Sequence, residues 1–179
     1  MMKKLVLSTL LLSTCLAVSA QNKTADAPKK EITEKNSWLK VGLNMAMPIG
    51  DASKVSTFAP GIDFRGQYMA TNHWGVGLAT GYNHYLGKNT FSDFGAIPLV
   101  AAARYYPKSK GIFAGADLGY SFLTNVVGLT GGLTVKPQIG YHNYNWNFYG
   151  FYNHIFTKGA AFDIQSVGIS AAYNIRFKK

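Results

Sequence analysis

Between Trp38 and Phe177 apolar residues alternate with small or polar ones, and every charged residue inside the alternating segments falls on a single parity. Alternation of period two marks β-strands. Eight segments follow it: Trp38–Met47, Gly61–Ala70, Trp74–Tyr85, Ala96–Tyr106, Gly111–Ser121, Leu133–His142, Asn145–His154 and Gln165–Phe177. The apolar parity carries Leu39, Val41, Leu43, Met45 and Met47 in the first segment and Ile62, Phe64 and Tyr68 in the second. Val76, Leu78 and Tyr82 continue it, then Leu99, Ala101, Ala103 and Tyr105, then Ile112, Ala114, Ala116, Leu118 and Tyr120. Leu133, Val135, Ile139 and Tyr141 belong to it in the sixth segment, and Val167, Ile169, Ala171, Tyr173, Ile175 and Phe177 in the last. The charges are Lys40, Asp63, Arg65, Arg104, Asp117, Lys136 and Arg176, all on the other parity. Hydrocarbon enforces such segregation, because Lys or Arg on a lipid face costs about 2–4 kcal/mol near the bilayer midplane. After residue 20 no stretch is apolar for the length a membrane helix needs, so any crossing must be made by strands.

The connections alternate in length. Thr71–His73, Pro107–Lys110 and Asn143–Tyr144 are short; Pro48–Pro60, Leu86–Gly95, Phe122–Gly132 and Ile155–Ile164 are longer, about ten residues each. Short periplasmic turns alternating with longer external loops predict an eight-stranded antiparallel up-and-down transmembrane β-barrel, all-β, with both chain ends on the periplasmic side. Side chains fill the interior of a barrel of this size. Its polar face is rich in small residues (Gly42, Ala46, Gly75, Gly77, Ala79, Gly81, Ala102, Gly119, Gly140, Gly168, Ser170 and Ala172), which leave room for the long Lys and Arg side chains. Trp38, Trp74, Phe113 and Trp146 open strands running up from the periplasm, and Tyr68, Tyr105, Tyr141 and Phe177 end strands coming down. They predict an aromatic ring at one level, with Tyr82, Tyr120, Tyr152 and Phe94 near the other rim. In the seventh strand Tyr149 and Phe151 share the face of Asn147 and Asn153, so aromatics occupy both sides.

Residues 1–20 read as a signal peptide. Lys3 and Lys4 form a basic start, Leu5 to Val18 an apolar run too short to span, and Val18-Ser19-Ala20 a small-residue cleavage site before Gln21. Lipidation at Cys15 is the rival reading, and Thr14 and the apolar run beyond Cys15 speak against it. Cleavage after Ala20 removes the one Cys, leaving no disulfide and no Cys-based metal site. The formal charge of +10 falls to +8 without Lys3 and Lys4. An exported protein seldom meets nucleic acid, so this basic balance does not imply a nucleic-acid partner. Residues 21–37 are charged and almost without large apolar side chains, as expected of a flexible periplasmic tail preceding a barrel over 38–179.

The closing stretch Ser170-Ala-Ala172-Tyr-Asn-Ile175-Arg-Phe177 resembles the C-terminal signal of outer-membrane barrels, with Ala172 where that pattern has Gly, and with Lys178 and Lys179 after Phe177. The stretches Tyr68-Met-Ala-Thr-Asn-His-Trp74-Gly-Val-Gly-Leu-Ala-Thr-Gly-Tyr82 and Ile97-Pro-Leu…Arg104-Tyr-Tyr-Pro107 are similar to the outer membrane protein beta-barrel domain family, of the small OmpA/OmpX type. The resemblance covers about residues 38–177. It implies a monomer in the outer membrane of a Gram-negative cell, inserted by the barrel-assembly machinery among outer-membrane lipids and lipopolysaccharide. It carries over no catalytic residue.

No catalytic, cofactor-binding or metal site is expected. His73 and His142 fall at periplasmic turns and His84 and His154 near the outer rim, without metal-ligand spacing. His84, Ser92 and Asp93 supply the residue types of a lipid A-modifying triad, but a flexible loop over Gly87–Thr90 is a poor platform for one. Gly75-Val-Gly77 lies inside a strand and is no nucleotide loop. The charged interior, +3 over the seven residues, reads as a plug of ion pairs, with a small anion-preferring pore as the alternative. Lys54, Lys88 and Lys158 lie in three external loops, either to meet lipopolysaccharide phosphates or to keep the loops soluble. A soluble lipocalin-like carrier would instead turn its apolar face inward. The reading that follows is a non-enzymatic barrel with a structural or surface-interaction role.

Overall fold

A computed structural model describes residues 37–126, 128–157 and 163–176. The signal and nearly all of the tail lie outside them. The eight strands are β1 (Ser37–Ile49), β2 (Ser56–Met69), β3 (Trp74–Gly87), β4 (Phe94–Tyr105), β5 (Gly111–Thr124), β6 (Gly131–His142), β7 (Trp146–Thr157) and β8 (Ile164–Arg176). One short helix, α1 (Ala52–Val55), joins β1 to β2. Each strand pairs antiparallel with the next, and β1 pairs with β8 from Trp38↔Arg176 to Ile49↔Gln165, closing the barrel. Closure removes the unpaired strand edges that hydrocarbon cannot solvate.

The face assignments hold among the described residues. Leu43, Leu78, Ile112, Leu118, Ile139 and Ile169 are each more than half exposed on the outside. Lys40, Asp63, Arg65, Arg104 and Asp117 are buried inside, and Lys136 nearly so. This is the reverse of a lipocalin-like carrier. The side chain of Arg176 and all of Phe177 lie outside the described residues.

Three expectations need correction. The strands extend farther at their outer ends, so the connections over 50–55 and 88–93 hold six residues each, fewer than the spacing of turn residues suggests. Gly50 and Asn125, with φ of 59° and 61°, adopt the left-handed conformation that lets the chain turn so soon. The aromatic ring is the second correction. Trp74, Tyr105, Tyr68, Tyr141 and Trp146 do face outward at the end that carries the short turns, where Trp74 packs on Tyr105 at 5.1 Å and Trp146 on Tyr173 at 5.2 Å. Trp38 and Phe113, however, point into the barrel, as does Phe94 at the other end. Their parity had already placed them on the lumen side; position along the strand misled. Third, His142 is not in a turn: it ends β6 facing inward, 1% exposed, against Tyr106 at 4.7 Å.

The small lumen-facing residues do two jobs. A Cβ on Gly75 would lie 2.5 Å from Nε2 of Gln67, so this glycine makes room for a long side chain. At Gly77 and Gly140 a Cβ would instead strike a carbonyl of the neighbouring strand, Gly66 and Phe148 respectively. Close backbone approach sets the requirement there.

Candidate functional site

The lumen is filled in three layers. At the end that carries the short turns Lys40 Nζ donates to Tyr106 Oη and Asn147 Oδ1, each at 3.0 Å, and lies over the Trp38 ring at 5.0 Å. Tyr106 in turn donates to Gln67 Oε1 at 3.0 Å, and Asn147 Nδ2 to Asn174 Oδ1 at 2.6 Å. In the middle Arg65 grips Asp117 with both guanidinium nitrogens at 2.7 Å, the two-pronged geometry that makes such pairs strong. Gln138 donates to the same carboxylate at 2.9 Å and accepts from Arg104 Nη2 at 2.6 Å. The Arg104 guanidinium lies 4.8 Å from the Phe113 ring and 4.7 Å from Tyr149, replacing part of its lost hydration with aromatic faces. Toward the outside Lys136 Nζ is 3.6 Å from Asp63 Oδ1 and 4.1 Å from the Phe151 ring. Tyr149 and Ser170 hydroxyls donate to Asp63 Oδ2 at 3.2 and 3.3 Å. The strand-seven aromatics therefore belong to the plug as well as to the lipid face.

The outer end is built differently. Tyr85 and Phe94 stack at 4.6 Å with planes 3° apart. Ala52 of α1, Leu123, Ile155 and Ile164 are buried in the same apolar cluster, against which Val55, Val126 and Leu129 pack. This cap lies over the ion pairs. Between them is a cavity of about 20 Å³ lined by Asp63, Arg65, Asp117 and Lys136, with Asn83 and Asn153 above. That volume has room for about one water.

Six of the seven expected lumen charges thus meet one another or the same aromatic and amide partners. The external lysines bind locally. Lys54 pairs with Asp51 at 2.7 Å, and Lys88 Nζ donates to the Ser53 carbonyl at 3.3 Å; Lys158 lies outside the described residues. His84 does meet Asp93, at 3.2 Å through Nε2, while Nδ1 faces the Tyr82 hydroxyl at 3.2 Å. Both ring nitrogens are therefore committed, and neither is left to activate Ser92. His73 lies at its expected turn, with Nδ1 2.9 Å from the Tyr106 carbonyl.

Sequence reasoning missed a second copy of this group. His154 Nε2 is 2.9 Å from Asp163 Oδ2, and the Tyr152 hydroxyl is 3.2 Å from His154 Nδ1. The signal was present: Tyr-Asn-His occurs at 82–84 and again at 152–154, each followed nine residues after its His by an Asp.

No family model matches the chain, and no curated protein matches it. Solved structures do. Ail, the attachment invasion locus protein of Yersinia pestis, superposes with a TM-score of 0.60 at 15% identity, over 81% of this chain and all of that one. Neisserial surface protein A gives 0.55 at 15% identity, over 79% of this chain and 97% of that one. The N-terminal β-barrel domain of OprF from Pseudomonas aeruginosa gives 0.50 at 15% identity, over 78% and 98%. At this identity the likeness is one of fold: the closed eight-stranded barrel of small outer-membrane proteins.

Proposed function

We propose that the chain is a non-enzymatic, monomeric integral protein of the Gram-negative outer membrane, with a structural or surface-interaction role and a closed lumen. The observation that carries the reading is the filled interior, in which paired charges under an apolar cap leave space for about one water. The lipid-facing band supports the location, since so many apolar side chains would be costly to expose to water. An aromatic belt at the periplasmic end fits a headgroup interface. Export behind a signal cleaved after Ala20, insertion by the barrel-assembly machinery and contact with lipopolysaccharide complete the reading.

Planar-bilayer recording of the purified protein tests it. No steady conductance is expected, and recovery should be confined to the outer-membrane fraction, with faster gel migration before boiling than after. Sustained anion-selective steps would replace the plug with a pore. Recovery from the soluble periplasm would end the membrane assignment.

A further inference from the structure

The Tyr-Asn-His recurrence belongs to a longer correspondence. Residues 81–94 read Gly-Tyr-Asn-His-Tyr-Leu-Gly-Lys-Asn-Thr-Phe-Ser-Asp-Phe, and 151–164, seventy positions on, read Phe-Tyr-Asn-His-Ile-Phe-Thr-Lys-Gly-Ala-Ala-Phe-Asp-Ile. The two stretches occupy equivalent places in the barrel. One joins β3 to β4, the other β7 to β8, and each hairpin resumes pairing at the same offset.

The geometry repeats with the sequence. In the first hairpin Asp93 Oδ2 meets His84 and Oδ1 accepts the Gly87 N–H at 2.7 Å. In the second Asp163 Oδ2 meets His154 and Oδ1 accepts the Thr157 N–H at 3.0 Å. Each carboxylate thus ties the residue just before the returning strand to the strand that entered the hairpin. A carboxylate only accepts, so Nε2 of each His carries the proton it donates. Nδ1 then accepts from the Tyr hydroxyl when the ring is neutral, and donates to the phenol oxygen when the ring is charged. The chain stays intact in either state.

The position of these chains matters more than their strength. His84 pairs with Gly95 and Tyr85 with Phe94 in the ladder; His154 pairs with Gln165 and Ile155 with Ile164. Tyr85, Phe94, Ile155 and Ile164 are buried members of the cap. In both hairpins, then, the outermost rung of the ladder is a pair of cap residues. Side chains alternate along a strand. A tie on the outer face at His and Asp therefore fixes the neighbouring residues facing inward.

The geometry points to a pair of clasps: the Tyr82–His84–Asp93 and Tyr152–His154–Asp163 chains pin the outer ends of two hairpins from the outside and thereby hold the apolar cap closed over the lumen. The second clasp is the tighter, because its His and Asp side chains are 17% and 36% exposed against 39% and 50% in the first. This goes beyond the closed lumen itself, since the ion pairs of Arg65 with Asp117 and Lys136 with Asp63 are made by other side chains.

Ala96, 2% exposed and two residues below Phe94 on the lumen face, reports on the cap. The test places A96C in the mature chain from Gln21, where it is the single thiol, folds the protein into nanodiscs and follows reaction with a water-soluble maleimide. Labelling is slow with both clasps intact. With H84A and H154A together it should be about tenfold faster, while planar-bilayer currents stay closed because the plug remains. Hydrogen exchange separates the hairpins: H84A loosens residues 86–94 alone, and H154A loosens 156–164 alone. Unchanged labelling and exchange in the double variant would overturn the clasps, as would either single variant loosening both hairpins equally. Fast migration of the unboiled sample verifies folding. If the histidine double variant does not fold, D93A with D163A asks the same question from loop residues. Steady current in the native protein would count against the plug and leave the labelling result to judge the clasps.

Discussion

The two ends of the lumen are closed by different balances of charge and apolar contact. From the short-turn end to the middle, closure is made by charges whose desolvation is offset by specific partners: Arg65 on Asp117, Arg104 between two rings, Lys40 on a phenol and an amide. At the outer end apolar contact predominates, joined by buried hydroxyls such as Ser56, Ser121 and Thr134 inside and by polar ties on the outside surface. A charge network is closed only while every partner stays in place. An apolar cap tolerates small losses, and directional bonds such as Lys88 N–H to the Val55 carbonyl at 2.9 Å and Ser56 Oγ to the Leu86 carbonyl at 2.8 Å set where its loops sit. The external ties add to that directionality.

The sharpest way to break this contrast is to remove one partner of the central pair. Arg65→Ala leaves Asp117 buried with an unbalanced charge and should cost about 3–5 kcal/mol, read as a lower urea midpoint in micelles. R65M combined with D117L should recover most of that loss, because the penalty lies in the orphaned charge. If the double variant is no better than R65A, the middle layer is held by shape and not by charge pairing. A smaller effect is expected in the cap. Ile155→Val removes one methylene from a residue 1% exposed and should cost about 0.5–1.5 kcal/mol, with no second substitution able to restore it by charge.

The smallest expected effect is a local one with pH. The Gly87 N–H, and after it His84, hold the Asp93 carboxyl below the ordinary carboxylate range. For Asp163 the main cause is His154, followed by the Thr157 N–H. A lowered folded-state pKa means that the ties are fully present above the unfolded-state value and lost as pH falls through the lower folded-state one. The Gly87 and Thr157 amide proton resonances should therefore hold steady from neutral pH down to about 4 and move only below it, while the global unfolding midpoint stays put. Movement centred at or above the ordinary carboxylate value would mean that the carboxylates are not engaged in the membrane-inserted protein.

Much of this architecture is legible in the residue order because one physical cost, that of charge in hydrocarbon, writes itself into every second position. The charges Lys40 to Lys136 and the outward rows around Leu78, Leu118 and Ile169 are found where parity puts them. Level along the barrel is harder to read. Trp38 and Phe113 begin strands like Trp74 and Trp146, yet face inward, because being aromatic at a strand end says nothing of side. The outer ends of the strands were also hidden: Ser56 to Pro60 and Leu86–Gly87 pair in the ladder although they contain the Gly, Pro and Ser that ordinarily mark turns. The clasps were half visible. His84 and Asp93 stood out as a chemical group, but only the repeat at His154 and Asp163 turns residue types suited to catalysis into a structural motif.

The β1–β8 seam joins the first strand of the barrel to the last, so its hydrogen bonds span nearly the whole barrel sequence. Such a contact forms late and at high entropic cost. Until it forms, an incomplete sheet has two raw edges that lipid cannot solvate. Assembly is therefore all-or-none at the level of strand number: seven strands are not seven-eighths of this protein. A chain that ends after β7 leaves β1 and β7 each with an unpaired edge, and the segment from Ile164 to Arg176 is the piece that satisfies both at once.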